Sequence, residues 1–84
     1  MKPSIGRTVI VRGIESNGAN EHPAVITRVW GPGDPAAGDD VRVNVTVFLD
    51  AHAPQNWGSV RLCESQEEAE RIGGPVSAFW PPRA

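Results

Sequence analysis

Between Val41 and Asp50 the chain reads Val-Arg-Val-Asn-Val-Thr-Val-Phe-Leu-Asp, with an aliphatic side chain at every odd position from 41 to 49. A strand sends successive side chains to opposite faces, so this stretch offers one unbroken apolar edge to a core. On a helix the same valines would wind around the surface, and their branched side chains would lose rotamer freedom. A strand of this kind needs neighbours for its backbone and a cover for its apolar face.

Partners are visible on both sides of it. Arg7 to Gly13 reads as a strand with Val9 and Val11 opposed to Thr8, Ile10 and Arg12, and Ala24 to Trp30 reads as another. Between them, Glu15 to Glu21 carries an Asn17-Gly18 pair, which readily takes positive φ and marks a hairpin tip inside a loop longer than two residues. Gly31 to Gly38 reads as a flexible loop, and Ala53 to Asn56 as a turn into a fourth strand, Trp57 to Cys63, with Val60 and Leu62 on one face. Ser65-Gln66-Glu67-Glu68 matches a capping box, with glutamates at the positive end of the helix dipole. Ala69 and Ile72 share one side of that helix, and Gly73-Gly74-Pro75 stops it after about two turns, too few to stand without docking. A last short strand runs from Val76 to Trp80.

The order strand, strand, strand, strand, short helix, strand predicts a mainly all-β fold in one domain spanning residues 1–84. Nine glycines and eight prolines supply the turns that short strands require. Closure removes exposed edges, so the expected architecture is a small five-stranded SH3-like barrel with one short helix before the last strand. An open sheet with the helix on one face is the alternative.

Charge and cysteine usage narrow the function. The net charge is −2, with one lysine, Lys2, and seven scattered arginines, which disfavours non-specific nucleic-acid binding. Lone Cys63 has no partner for an internal disulfide, and no signal peptide or stretch of about 20 apolar residues is visible. The chain reads as soluble, cytoplasmic and without a membrane role.

No catalytic, metal or cofactor motif stands out. Asp50, His52 and His22 do not make a zinc pattern, and His52 reads as a solvated loop residue. Cys63 reads as a small buried hydrophobe rather than a nucleophile served by His22 or His52. The chain is therefore expected to be no enzyme and to use no cofactor.

The informative oddity is an outer apolar stripe. If Val41 to Leu49 face inward on odd positions, Phe48 points out among Arg42, Asn44 and Thr46. If Val25, Thr27 and Val29 face inward as well, Ala24, Ile26 and Trp30 lie outside with Arg28. Either Ala69 and Ile72 of the helix or Phe79 and Trp80 of the tail cover this stripe, or part of it stays open to a partner. Trp57 either plugs a barrel end or stands exposed after its proline-containing turn. The candidate interaction face is thus Ile26, Trp30, Phe48 and Trp57, with another protein or a second copy as partner. The runner-up is a nucleic-acid-associated barrel that stacks bases on Trp57 beside Arg28, Arg42 and Arg61.

Four segments, Ile5–Val9, His22–Trp30, Val43–Asp50 and Phe79-Trp80-Pro81-Pro82-Arg83, together resemble a group of short hypothetical proteins from tailed bacteriophages and prophages. The likeness lies in strand patterns spread over most of the chain, so it implies a common fold more than a common activity. It also implies a phage-encoded binding module or a virion-associated role in a bacterial host.

Overall fold

The computed structural model describes residues 1–82, and Arg83 of the tail segment lies outside the described residues. Five strands close into a barrel: β1 (Thr8–Ser16), β2 (Ala19–Trp30), β3 (Val41–Val47), β4 (Gln55–Cys63) and β5 (Ser77–Phe79). Neighbours pair antiparallel around the ring, except β4 with β5, which run parallel. The short helix α1 (Gln66–Ile72) precedes β5. This is the small closed SH3-like barrel that the strand order implies.

The valine stripe of β3 forms its axis. Val41, Val43, Val45 and Val47 are all buried, joined by Val9 and Val11 of β1, Ala24 and Ile26 of β2, and Val60 and Leu62 of β4. Leu49 is half-buried at the rim of the same cluster.

The hairpin between β1 and β2 is tighter than the sequence suggests. Ser16 pairs with Ala19, so the tip is only Asn17-Gly18, both at positive φ (51° and 78°). Those are the two left-handed positions of a type I′ turn, whose twist suits antiparallel strands. The Asn17 side-chain amide also donates to Asp50 Oδ2 at 2.7 Å, tying the tip to the turn after β3. Further down β1 the register shifts between Arg12 and Ser16, where Gly13 sits at φ 102° against the Pro75 carbonyl. Any side chain there would meet both a disfavoured backbone conformation and the Pro75 backbone.

The segment from Gly31 to Gly38 is built rather than loose. Asp34 caps a 3₁₀ turn at Pro35–Ala37 by accepting from the Ala36 amide at 2.9 Å, and Pro35 is buried. Helix α1 starts as its capping residues require, with Ser65 Oγ accepting from the Glu68 amide at 3.2 Å. That hydroxyl contact is the forward half of a capping box.

Phe79 and Trp80, adjacent in sequence, enter different cores. Ala78 and Trp80 point into the barrel, whereas Phe79 points outward to a second cluster with Cys63, Ala69 and the half-buried Ile10. All three residues of β5 are buried, because the barrel covers one face and α1 the other. Trp80 is 7% exposed, and its indole Nε1 finds no acceptor among the described residues. The Arg7 guanidinium lies 5.5 Å from the centre of its ring.

The valine stripe yields a direct stability test. Val43→Ala removes two buried methyl groups and should lower unfolding free energy by about 2 kcal/mol. Thr8→Ala, on an exposed strand position, should change it by less than about 0.5 kcal/mol. Urea denaturation of the two variants measures both.

Candidate functional surface

Two bulges decide which side chains reach the outside of β2 and β4. In β2 the pairing passes from Ile26 opposite Val45 to Arg28 opposite Asn44, leaving Thr27 as an extra residue. Such a bulge reverses the phase of alternation beyond it. Ala24 and Ile26 therefore face the core before the bulge, Val29 faces it after, and Val25, Arg28 and Trp30 lie outside.

This corrects part of the sequence reading. Ile26 is 0% exposed and belongs to the barrel core, so it contributes nothing to an outer face. Val25 and Thr27 do not face inward as unbroken alternation would have them. Trp30 and Phe48 are outside as expected, each 44% exposed.

A second bulge, in β4, organises the surroundings of Trp30. Val43 pairs with Val60 and Val45 with Trp57, so Gly58 and Ser59 together stand opposite Asn44. Ser59 takes the left-handed conformation at φ 53°, and its amide donates to Asn44 Oδ1 at 2.9 Å. The same oxygen accepts from the Trp30 indole Nε1 at 2.8 Å. Asn44 thereby holds the ring on one side, and the Arg28 guanidinium lies over it, 3.9 Å from the ring centre. A cation at that distance from an indole face is attracted by the ring's quadrupole.

Arginines extend this cluster across the sheet. Trp30 pairs with Arg42 and Arg42 with Arg61, so the three occupy one row on the outer face. Arg42 donates to both oxygens of Asp40, at 2.8 and 3.3 Å, and Arg61 approaches the same carboxylate at 3.9 Å. The hydrogen bonds from Arg42, reinforced by the positive charges of Arg42 and Arg61, hold the Asp40 carboxyl below its ordinary value.

The other sequence candidates lie elsewhere. Phe48 sits at the opposite end of the β2–β3 ladder, where its amide donates to the Pro23 carbonyl at 2.9 Å. Phe48 lies six positions along the chain from Arg42, about 20 Å at ~3.3 Å per residue. Trp57 pairs with inward-facing Val45 and packs half-buried against the barrel core, its Nε1 donating to Gln55 Oε1 at 3.1 Å. It therefore lies on the core side of β4 and does not share a face with Arg28, Arg42 and Arg61.

Among the described residues, neither the helix nor the tail covers Trp30. Helix α1 docks through Ala69 on the outer face of β1, β5 and β4, over Phe79, Cys63 and Ile10. Ile72, one of the residues that could have covered the stripe, is 37% exposed. The barrel thus has one outer face covered by α1 and another, on β2 and β3, that carries exposed aromatics.

The residues weighed for chemistry are occupied or apart. His22 is buried with Nε2 2.6 Å from the Ile14 carbonyl, while His52 is exposed in the turn after β3. Cys63 belongs to the cluster beneath α1. Among the described residues no three His, Cys, Asp or Glu side chains come together as a metal site would need. No helix among them is long and apolar enough to cross a membrane.

No protein family matches the chain, and no characterised protein or solved structure shows significant similarity to it.

Burial raises the Cys63 thiol above its ordinary value, favouring the neutral form in the folded state. A raised thiol pKa contributes stability that is complete below the unfolded value, near 9.0, and is lost as pH climbs beyond it. Thiolate being the reactive form, Cys63 should resist a disulfide reagent at neutral pH until the protein is unfolded in denaturant. Rapid labelling of the native protein would contradict that placement.

Proposed function

We propose that this chain is a non-catalytic binding module that acts by protein–protein contact through the outer face of β2 and β3, centred on Trp30. The observation that carries the reading is the Trp30 ring, exposed yet already held by Asn44 and Arg28. Tryptophan and arginine dominate binding energy at protein interfaces, and a ring ordered in advance loses less freedom on binding. An aromatic left bare on a domain that docks its own helix elsewhere fits a surface kept for a partner.

A binding role rather than an enzymatic one is supported by the histidines and the cysteine. His22 is engaged by a backbone carbonyl, and Cys63 lies under α1 with its thiol kept neutral. The strand-pattern resemblance to short phage and prophage proteins supports a phage-encoded setting, with action in a bacterial host's cytoplasm or on the virion. Partners of the same chemistry include a second copy of the chain.

Affinity capture from host lysate with matched variants tests the reading. A protein retained by the wild type should be lost with Trp30→Ser and kept with Ile72→Ser, which alters an exposed apolar residue on α1. Equal retention by all three would remove Trp30 from the binding surface.

A further inference from the structure

The cluster around Trp30 has a charge imbalance that specifies its partner further. Arg28, Arg42 and Arg61 share the outer face of β2, β3 and β4, and among the described residues their ion-pairing carboxylate is Asp40. Arg28 makes no ion pair there; its guanidinium is engaged by the Trp30 ring. Asp39, next to Asp40, turns its carboxylate back to the Asp34 amide at 3.0 Å. Three guanidinium groups thus face one carboxylate on a chain whose net charge is −2. The positive excess is local, and it surrounds the exposed ring.

We infer that the Trp30 face docks an acidic protein segment, whose carboxylates pair with Arg28, Arg42 and Arg61 while an apolar side chain packs on the indole. This rests on the reading of Trp30 as a protein-binding surface and names the chemistry of its partner. Guanidinium groups match carboxylates with two parallel hydrogen bonds, a geometry that Arg42 already makes with Asp40. Arg28 is the group whose pairing capacity is open, because a cation over a ring face keeps its edge free for an acceptor. A neutral apolar partner would leave these cations desolvated without compensation. The acidic partner is favoured over nucleic acid because the chain's overall negative charge repels a polyanion such as a nucleic-acid strand at long range, whereas a short acidic segment engages the local patch.

The experiment is a titration of the isotopically labelled protein, followed by the amide, indole and arginine side-chain resonances. The probes are a short synthetic peptide of glutamates around one leucine, the same peptide with lysine for glutamate, and a single-stranded thymidine oligonucleotide. The glutamate peptide should shift the Trp30 indole and the Arg28, Arg42 and Arg61 signals, with binding weakened by high salt. Arg28→Glu should weaken it about tenfold or more. Arg71→Glu, the same charge change on α1, should leave it within about twofold. Both variants are compared only after their amide spectra show the native fold.

Equal or tighter binding of the lysine peptide, or tighter binding of the oligonucleotide, overturns the inference. So does an absence of shifts, a response confined to other surfaces, or broadening of the Trp30 row with protein concentration alone. If capture in the preceding test depends on Trp30 while the glutamate peptide does not bind, the binding surface stands and its acidic partner falls. If neither responds to Trp30, both fall together.

Discussion

The burial of four β3 valines inside a closed ring is the contact on which the rest of the barrel depends. Because alternate residues of β3 must point inward, their neighbours Arg42, Asn44, Thr46 and Phe48 must point out. Closure then brings β5 between β1 and β4, where no edge is left free. β5 is three residues long and buried on both faces, so it works as a keystone between the barrel interior and the helix-covered cluster. Its two faces explain why Ala78 and Trp80 belong to one core and Phe79 to the other.

The two outer faces of the barrel consequently differ. Over β1, β5 and β4, Ala69 of α1 seals Phe79 and Cys63, and this contact is what lets a helix of about two turns persist. Over β2 and β3 the described chain supplies no such cover. There the bulges at Thr27 and at Gly58-Ser59 place Arg28, Trp30 and Asn44 on one surface and give Asn44 two donors to accept. Bulges of this sort often re-aim side chains toward a functional surface. The resulting cluster combines a stacked cation, a held indole and an Arg42–Asp40 pair within a few residues of strand.

Much of this was legible because it is local. The odd-position valines of β3, the Asn17-Gly18 tip and the Ser65 cap each depend on residues within a few positions, and each appears in the structure. The outward position of Phe48 follows from the same alternation. The phase of β2 was not legible, because a bulge depends on the partner strand; Ile26 passed to the core and Val25 to the surface for that reason. The inward turn of Trp57 has the same origin, in the bulge beside Asn44. Nor does composition reveal that Asp34 organises the glycine-rich segment, or that α1 docks on β5 instead of on the aromatic stripe.

Trp30 stands uncovered on the outer face, whereas Trp80 is sealed in the barrel. Paramagnetic relaxation of the ring protons by an inert soluble gadolinium chelate reads this on the unmodified protein. Strong relaxation is expected at Trp30, weak relaxation at Trp80 and an intermediate value at Trp57. Protection of Trp30 equal to that of Trp80, in dilute protein, would contradict it.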